Sequence, residues 1–251
     1  MSDHLDRFFI PGVSHNDIAR ADDDEARHIA RVLRMEPGDE LIAFDGTGVE
    51  CRCRIAKATS RIAQATSRDV VVEVLERREV SREASVEVTL AIAAIKAKAM
   101  DLIVQKCTEL GLARLMPFHS GRSVAKIRDE SKIVKWRRTT IEAAKQCGRN
   151  TLPEILQPAD FNGLADAIRD HDLAVVASVG QDAATLREAL QQNLTAKRIM
   201  YIIGPEGGFE ADELAALTQA GAVPVSLGAS VLRVETAAIA ALAIIVYQYS
   251  D

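Results

Sequence analysis

A chain of 251 residues, 48% hydrophobic and 27% charged, can bury one large core or two smaller ones beneath a charged surface. Its longest apolar run, Ala237 to Tyr247, is about half of what crosses a bilayer, and Met1-Ser2-Asp3-His4 lacks the basic and apolar opening of a secretion signal, so neither a membrane span nor export is expected. The net charge of −5 argues against a uniformly polyanion-binding surface, yet residues 120–149 hold nine Lys and Arg against three Asp and Glu, a positive segment in an acidic chain.

The first 80 residues read as a small β-rich unit. Arg7-Phe8-Phe9-Ile10 is a short strand. Asp22-Asp23-Asp24 suits a helix cap and first turn, and Ala26, Ile29, Ala30 and Leu33 follow at helical spacing until Pro37-Gly38. Glu40–Phe44 and Val49–Ile55 form a hairpin about Asp45-Gly46-Thr47-Gly48, Asp69–Leu75 is a strand, and the charged stretch 76–83 is a linker. From Val86 the pattern alternates. Strands are expected at Val86–Ile95, Leu115–Phe118, Leu173–Val179, Ile199–Ile203 and Val223–Leu227. Helices are expected at Ala97–Leu110, Ser131–Cys147, Ala184–Gln192, Glu210–Ala220 and Glu235–Tyr249. Such alternation builds an α/β domain on a parallel sheet.

Open α/β sheets hold ligands beyond the carboxyl ends of their strands, and two such ends are unusual. Gly204-Pro205-Glu206-Gly207-Gly208-Phe209 packs three glycines into five residues, which lets a backbone approach a ligand closely; a tight turn alone would account for one or two of them. It lacks the Gly-Lys-Ser/Thr ending of a phosphate loop, and no G-x-G-x-x-G opens a helix. Leu227 to Ala237 joins the last strand to an apolar helix whose first N–H groups, near Glu235, Thr236 and Ala237, are free to bind acceptors. Arg233 stands there as a lone cation between Leu232 and Val234. It is either paired with a nearby carboxylate or aimed at a ligand.

Ile203-Gly-Pro-Glu-Gly-Gly-Phe209 followed by Leu227-Gly-x-x-Val-Leu-Arg-x-Glu-Thr-Ala237 resembles the RsmE family, the 16S ribosomal RNA uridine-N3 methyltransferases of the SPOUT superfamily. Arg27-His-Ile-Ala-Arg-Val-Leu-Arg34 with Gly38-Asp39, Gln105-Lys-Cys-Thr-Glu-Leu-Gly111, and Glu142-Ala-Ala-Lys-Gln-Cys-Gly-Arg-Asn150 with Pro153-Glu154 are similar to its other signatures, in the family's order. The chain departs from the usual pattern at Ala99, Gly121 and Val234.

The resemblance implies a PUA-like RNA-binding β-barrel over 1–78 and, over 84–251, a SPOUT domain with a C-terminal trefoil knot. It implies a homodimer, S-adenosylmethionine as cofactor, and 16S ribosomal RNA of the small subunit as partner. By similarity the cofactor contacts Ala177, Ser178, Ile203, Gly204, Pro205, Glu206, Gly207, Gly208, Leu227, Gly228, Val231, Leu232, Arg233, Glu235, Thr236 and Ala237. Arg233 is the candidate catalytic cation, with Glu206 and Glu235 as possible bases. RNA contacts are assigned to Arg7, Arg27, Arg31, Arg34, Arg122, Lys126, Arg138, Lys145 and Arg149. Arg27, Arg31 and Arg34, at helical spacing, should share one face. No metal is expected. Cys51 and Cys53 share a strand face without a second Cys/His pair, and Cys107 and Cys147 suit a core, which together favour free thiols in a reducing cytoplasm. The competing readings are a transfer-RNA ribose methyltransferase of the same superfamily and a non-catalytic ribosome-assembly factor.

Overall fold

A computed structural model describes residues 5–59, 69–122, 130–178 and 183–250. The chain forms two compact units, one of residues 1–83 with 144–152, the other of 84–143 with 153–251. The first unit takes in a short segment from far along the chain.

In that first unit, β1 (Arg7–Phe9), β2 (Ile18–Arg20), β3 (Glu40–Phe44), β4 (Val49–Thr59) and β5 (Asp69–Glu79) form a mixed sheet in the order β1-β3-β4-β5-β2. Period-two patterning explains its sidedness: Cys51, Cys53 and Ile55 turn into a core with Phe8, Ile10, Leu41, Ala43, Val70 and Val72, while Arg52 and Arg54 face out. Burial raises the Cys51 thiol above its ordinary pKa and pushes Cys53 up to about 12, so both are neutral packing groups. The expected linker at 76–83 is a strand as far as Glu79, where Arg77 and Arg78 pair in register with Cys51 and Glu50 of β4. Its charge misleads because these exposed side chains have carboxylate partners, Arg77 in Asp17 and Arg78 in Glu76.

The first helix is also shorter than its spacing suggests. Asp22 caps α1 (Asp23–Arg27) by accepting from the Glu25 N–H at 2.8 Å. The chain then widens into a π-helical turn, His28–Val32, in which the Leu33 N–H reaches back to the His28 carbonyl, and Arg34 follows in the left-handed region at φ 57°. Arg34 therefore lies beyond the helical turns, and of the three arginines only Arg27 and Arg31 stand on them.

The second unit is a seven-stranded parallel sheet. Its strands are β6 (Glu87–Ala93), β7 (Arg114–Phe118), β8 (Glu154–Ile155), β9 (Leu173–Ala177), β10 (Ala184–Thr185), β11 (Arg198–Ile203) and β12 (Val223–Ser226), in the order β10-β12-β9-β11-β6-β7-β8. Its helices are α2 (Ala97–Glu109), α3 (Glu130–Cys147, whose last four residues belong to the first unit), α4 (Phe161–Ile168), α5 (Leu186–Gln191), α6 (Ala211–Ala220) and α7 (Val234–Gln248). Both faces of the sheet are covered, which is why its strands read as continuous apolar runs. Ile199, Tyr201 and Ile203 of β11 enter the core beneath α2 and α7, whereas Met200 and Ile202 enter the one with Leu164 of α4 and Leu217 of α6. The expected helix over 184–192 begins as strand β10. Thr185 and Glu188 then form a reciprocal cap that starts α5.

Candidate active site

Three strand ends remote in sequence finish side by side, because β12, β9 and β11 are neighbours in the sheet. Val225 is opposite Ala177, Val176 is opposite Ile202, and the Ser178 N–H donates to the Val225 carbonyl at 2.9 Å. The structure thus brings Ala177-Ser178, Ile203 to Gly208, and Leu227-Gly228 to one edge of the second unit.

After β11 the chain turns sharply. A Cβ on Gly204 would lie 3.0 to 3.3 Å from the Phe209 ring, and that ring stacks on Phe118 with centroids 6.2 Å apart. Gly204 and Pro205 are buried, whereas Glu206, Gly207 and Gly208 are exposed. Gly208 sits at φ 67° and donates to the Pro205 carbonyl at 2.8 Å, closing the turn. After β12, the Ser226 hydroxyl donates to the Gly228 carbonyl at 2.9 Å, and Gly228 takes φ 131°. Among the described residues, the chain neighbours of each glycine aside, no atom lies within 4 Å of where a Cβ would stand on Gly208 or Gly228. Leu232 packs against the core while Val231 is 79% exposed, an apolar side chain without a protein neighbour to cover it.

Arg233 caps α7 through its backbone, its carbonyl accepting from the Ala237 N–H at 2.9 Å. Its side chain is exposed and, among the described residues, no carboxylate pairs with it. Glu235 is half-buried and Thr236 exposed in the first turn of α7. Of the two readings that the sequence leaves open for Arg233, the geometry favours a group aimed outward.

The nine basic residues assigned to RNA divide sharply. Arg7 is nearly enclosed, paired with Glu50 at 2.5 Å and donating to Asn150 Oδ1 at 2.6 Å. Lys145 meets Glu25 at 2.6 Å, with both side chains more than nine-tenths buried. The Arg149 guanidinium, 4% exposed, is clasped by Glu83. The expectation that these three face RNA is corrected: they hold residues 144–152 within the first unit, each charge matched by a carboxylate that sequence spacing does not reveal. Arg27, Arg31, Arg34 and Arg138 are exposed, and Lys126 lies outside the described residues. Arg122 bonds the glycine loop, its Nη1 donating to the Gly207 carbonyl at 3.0 Å.

Lys96 and Lys98, which sequence reasoning passed over, stand exposed at the end of β6, between β11 and β7 in the sheet. Their signal was electrostatic. Lys96 caps α2 without a side-chain hydrogen bond and no acid occupies the first turn, although a helix start favours carboxylates. A local rule broken beside a binding edge marks function more often than packing. A depression on the first unit, of about 170 Å³, is lined by Ile42, Glu50, Arg52, Glu76 and Arg78; it is smaller than the roughly 300 Å³ that small-molecule ligands need. Among the described residues no cluster of His, Cys, Asp or Glu could hold a metal ion.

An RNA methyltransferase domain model matches residues 82–246, and an RNA methyltransferase PUA domain model matches residues 21–66. The ribosomal RNA small subunit methyltransferase E of Bacillus subtilis is 34% identical over 233 residues, covering 90% of this chain and 88% of that protein. The protein of the same name from Mycobacterium tuberculosis is 34% identical, covering 90% and 84%. Among solved structures, ribosomal RNA small subunit methyltransferase E from Neisseria gonorrhoeae, bound to S-adenosyl methionine, superposes with a TM-score of 0.85 at 28% identity and 98% coverage of both chains. A Legionella pneumophila methyltransferase with bound cofactor SAM gives 0.84 at 32% identity and 96% coverage of both.

A parallel α/β sheet with backbone-rich loops at its carboxyl edge, following in sequence an N-terminal PUA-like domain, defines an RNA methyltransferase. Within that class, the chain belongs to the ribosomal RNA small subunit methyltransferase E family, RsmE.

Proposed function

We propose that this protein transfers a methyl group from S-adenosylmethionine to N3 of a uridine in 16S ribosomal RNA. In this reading residues 84–251 form the catalytic domain and the N-terminal unit holds RNA. The observation that carries it is the convergence of the β9, β11 and β12 ends, which places three backbone-rich loops along one edge. The residues fit the cofactor. Among the described residues, open space adjoins Gly208 and Gly228, Leu227 and Leu232 offer apolar surface, and the first N–H groups of α7 lack intrahelical partners. The interleaved order β10-β12-β9-β11 suits a C-terminal segment threaded as a trefoil knot. The protein acts as a cytoplasmic homodimer, a role for which α7 offers exposed Ile244 and Tyr247 and the adjoining helix α2 offers exposed Leu102.

S-adenosylmethionine supplies an electrophilic methyl on a positively charged sulfur. Uridine N3 carries a proton and attacks only as that proton leaves, so the protein must align the base and stabilise the developing anion. Arg233 is the stabilising cation: it adjoins the loops, stays charged at physiological pH and has no competing carboxylate among the described residues. Glu206 and Glu235 flank the edge as candidate bases. Lys96, Lys98, Arg31, Arg34 and Arg138 are exposed cations available to phosphates.

The test is methylation of small ribosomal subunits from cells lacking this protein, followed by nuclease digestion and mass spectrometry. One N3-methyluridine in 16S RNA is expected. A ribose methyl would favour the other enzymatic reading, and no transfer would favour the assembly factor. Arg233→Ala should lower the single-turnover rate by roughly 100-fold. A rate within about threefold of the parent at equal RNA occupancy would remove Arg233 from this role.

A further inference from the structure

The loop after β7 and the loop after β11 are fastened together, although β6 lies between the two strands. Arg122 Nη1 donates to the Gly207 carbonyl at 3.0 Å, and its Nε lies 3.5 Å from Glu210 Oε1. The Gly121 N–H donates to Glu213 Oε1 at 2.8 Å. Glu210 and Glu213 also cap α6 reciprocally. The stem of Arg122 lies along Gly207, with its Cδ 3.6 Å from where a Cβ would stand.

This arrangement acts on one peptide unit. Between Gly207 and Gly208 the carbonyl is held by Arg122, and the N–H is held by the Pro205 carbonyl at 2.8 Å. A peptide flanked by two glycines rotates with little steric resistance, so its orientation depends on those two hydrogen bonds. Glu210 partly matches the charge of Arg122, which weakens the pull of the guanidinium on a phosphate and directs it to the loop.

We propose that Arg122 is a positioning residue for the cofactor: by pinning the Gly207 carbonyl it keeps the Gly204–Gly208 turn in its binding-competent form. The proposal rests on the reading that this turn belongs to the S-adenosylmethionine site. Without Arg122 only a fraction of molecules would hold that form, and the apparent affinity would fall in proportion to the fraction.

The experiment is calorimetric titration of S-adenosylmethionine into the full-length protein and its Arg122→Ala, Arg122→Gln and Arg122→Lys variants. Thermal unfolding without cofactor and binding to small-subunit RNA are measured in parallel. Arg122→Ala should weaken cofactor binding by roughly tenfold, whereas Arg122→Lys, which keeps a charged donor, should stay within about threefold of the parent. Unfolding without cofactor should stay near the parent's. Should Arg122→Ala not fold, Arg122→Gln carries the test, with a loss of roughly threefold or more expected. Cofactor affinity within about twofold of the parent in the folded variant, with or without loss of RNA binding, overturns the proposal. A parent protein that does not bind S-adenosylmethionine overturns instead the reading on which it rests.

Discussion

Gly204→Ala should weaken S-adenosylmethionine binding by roughly 10- to 100-fold, while Gly207→Ala should cost less than about threefold. The two glycines look equivalent in the sequence but meet different surroundings. A Cβ on Gly204 would stand 3.0 to 3.3 Å from three atoms of the Phe209 ring. That ring also stacks on buried Phe118, which limits its retreat. The strain therefore passes into the backbone of the turn, and overpacking of this kind costs about 1–3 kcal/mol. Among the described residues a Cβ on Gly207 would meet only the Arg122 side chain, at 3.6 and 3.8 Å, and Gly207 has no positive φ to forbid a side chain. Titration of both variants checks the ranking. Equal losses, or a greater loss for Gly207→Ala, would mean that the turn does not act through its fit against Phe209.

Lys145→Met should destabilise the protein by about 3–5 kcal/mol, because it removes the cation of a buried ion pair and takes the nearest counter-charge from the Glu25 carboxylate. Lys145 and Glu25 meet at 2.6 Å with side chains only 8% and 7% exposed, and the ammonium lies 5.8 Å from the centroid of the Phe8 ring. Removing both charges should be milder than removing one, since an apolar pair of similar volume often packs as well as a buried ion pair. Urea unfolding of Lys145→Met, Glu25→Gln and the double variant measures the coupling. A neutral Lys145→Met variant that folds normally yet loses RNA affinity would restore Lys145 to the RNA surface and contradict its placement here.

The periodic parts of the fold were legible. Strict alternation along β11 sends Tyr201 to one core and Ile202 to the other, and a run buried on both faces reads as a parallel strand. Gly221 ends α6 at φ 114°, as a helix-closing glycine should. What escaped was structure fixed by distant partners. The pairing of Arg7 with Glu50 and Asn150, and of Lys145 with Glu25, joins residues 43, 143 and 120 positions apart, and no local pattern encodes it. Hence three interior cations were assigned to RNA. Two-residue strands such as β8 and β10 are too short to show a period. The π turn at His28–Val32 hides within a sequence of ordinary helical spacing.

The candidate site was legible in part, and for a specific reason. Glycines at 204, 207 and 208 and the bend at 227–237 stand out because strand ends in open sheets need such residues only when backbone must come close to something. Their convergence was not legible from composition or spacing, since it depends on β12 lying next to β9 rather than beside its sequence neighbour β11. Lys96 and Lys98 are hard to read from sequence because two cations at one helix start form no charge run of the kind seen at 120–149.

The most direct measurement is a crystal structure of the protein soaked with S-adenosylmethionine. The ligand should be bounded by Gly204–Gly208, Leu227–Gly228 and the first turn of α7, with Ala177-Ser178 beside it. Ligand density elsewhere, for instance in the depression lined by Arg52 and Glu76, or loops whose side chains fill the space beside Gly208 and Gly228, would contradict the assignment.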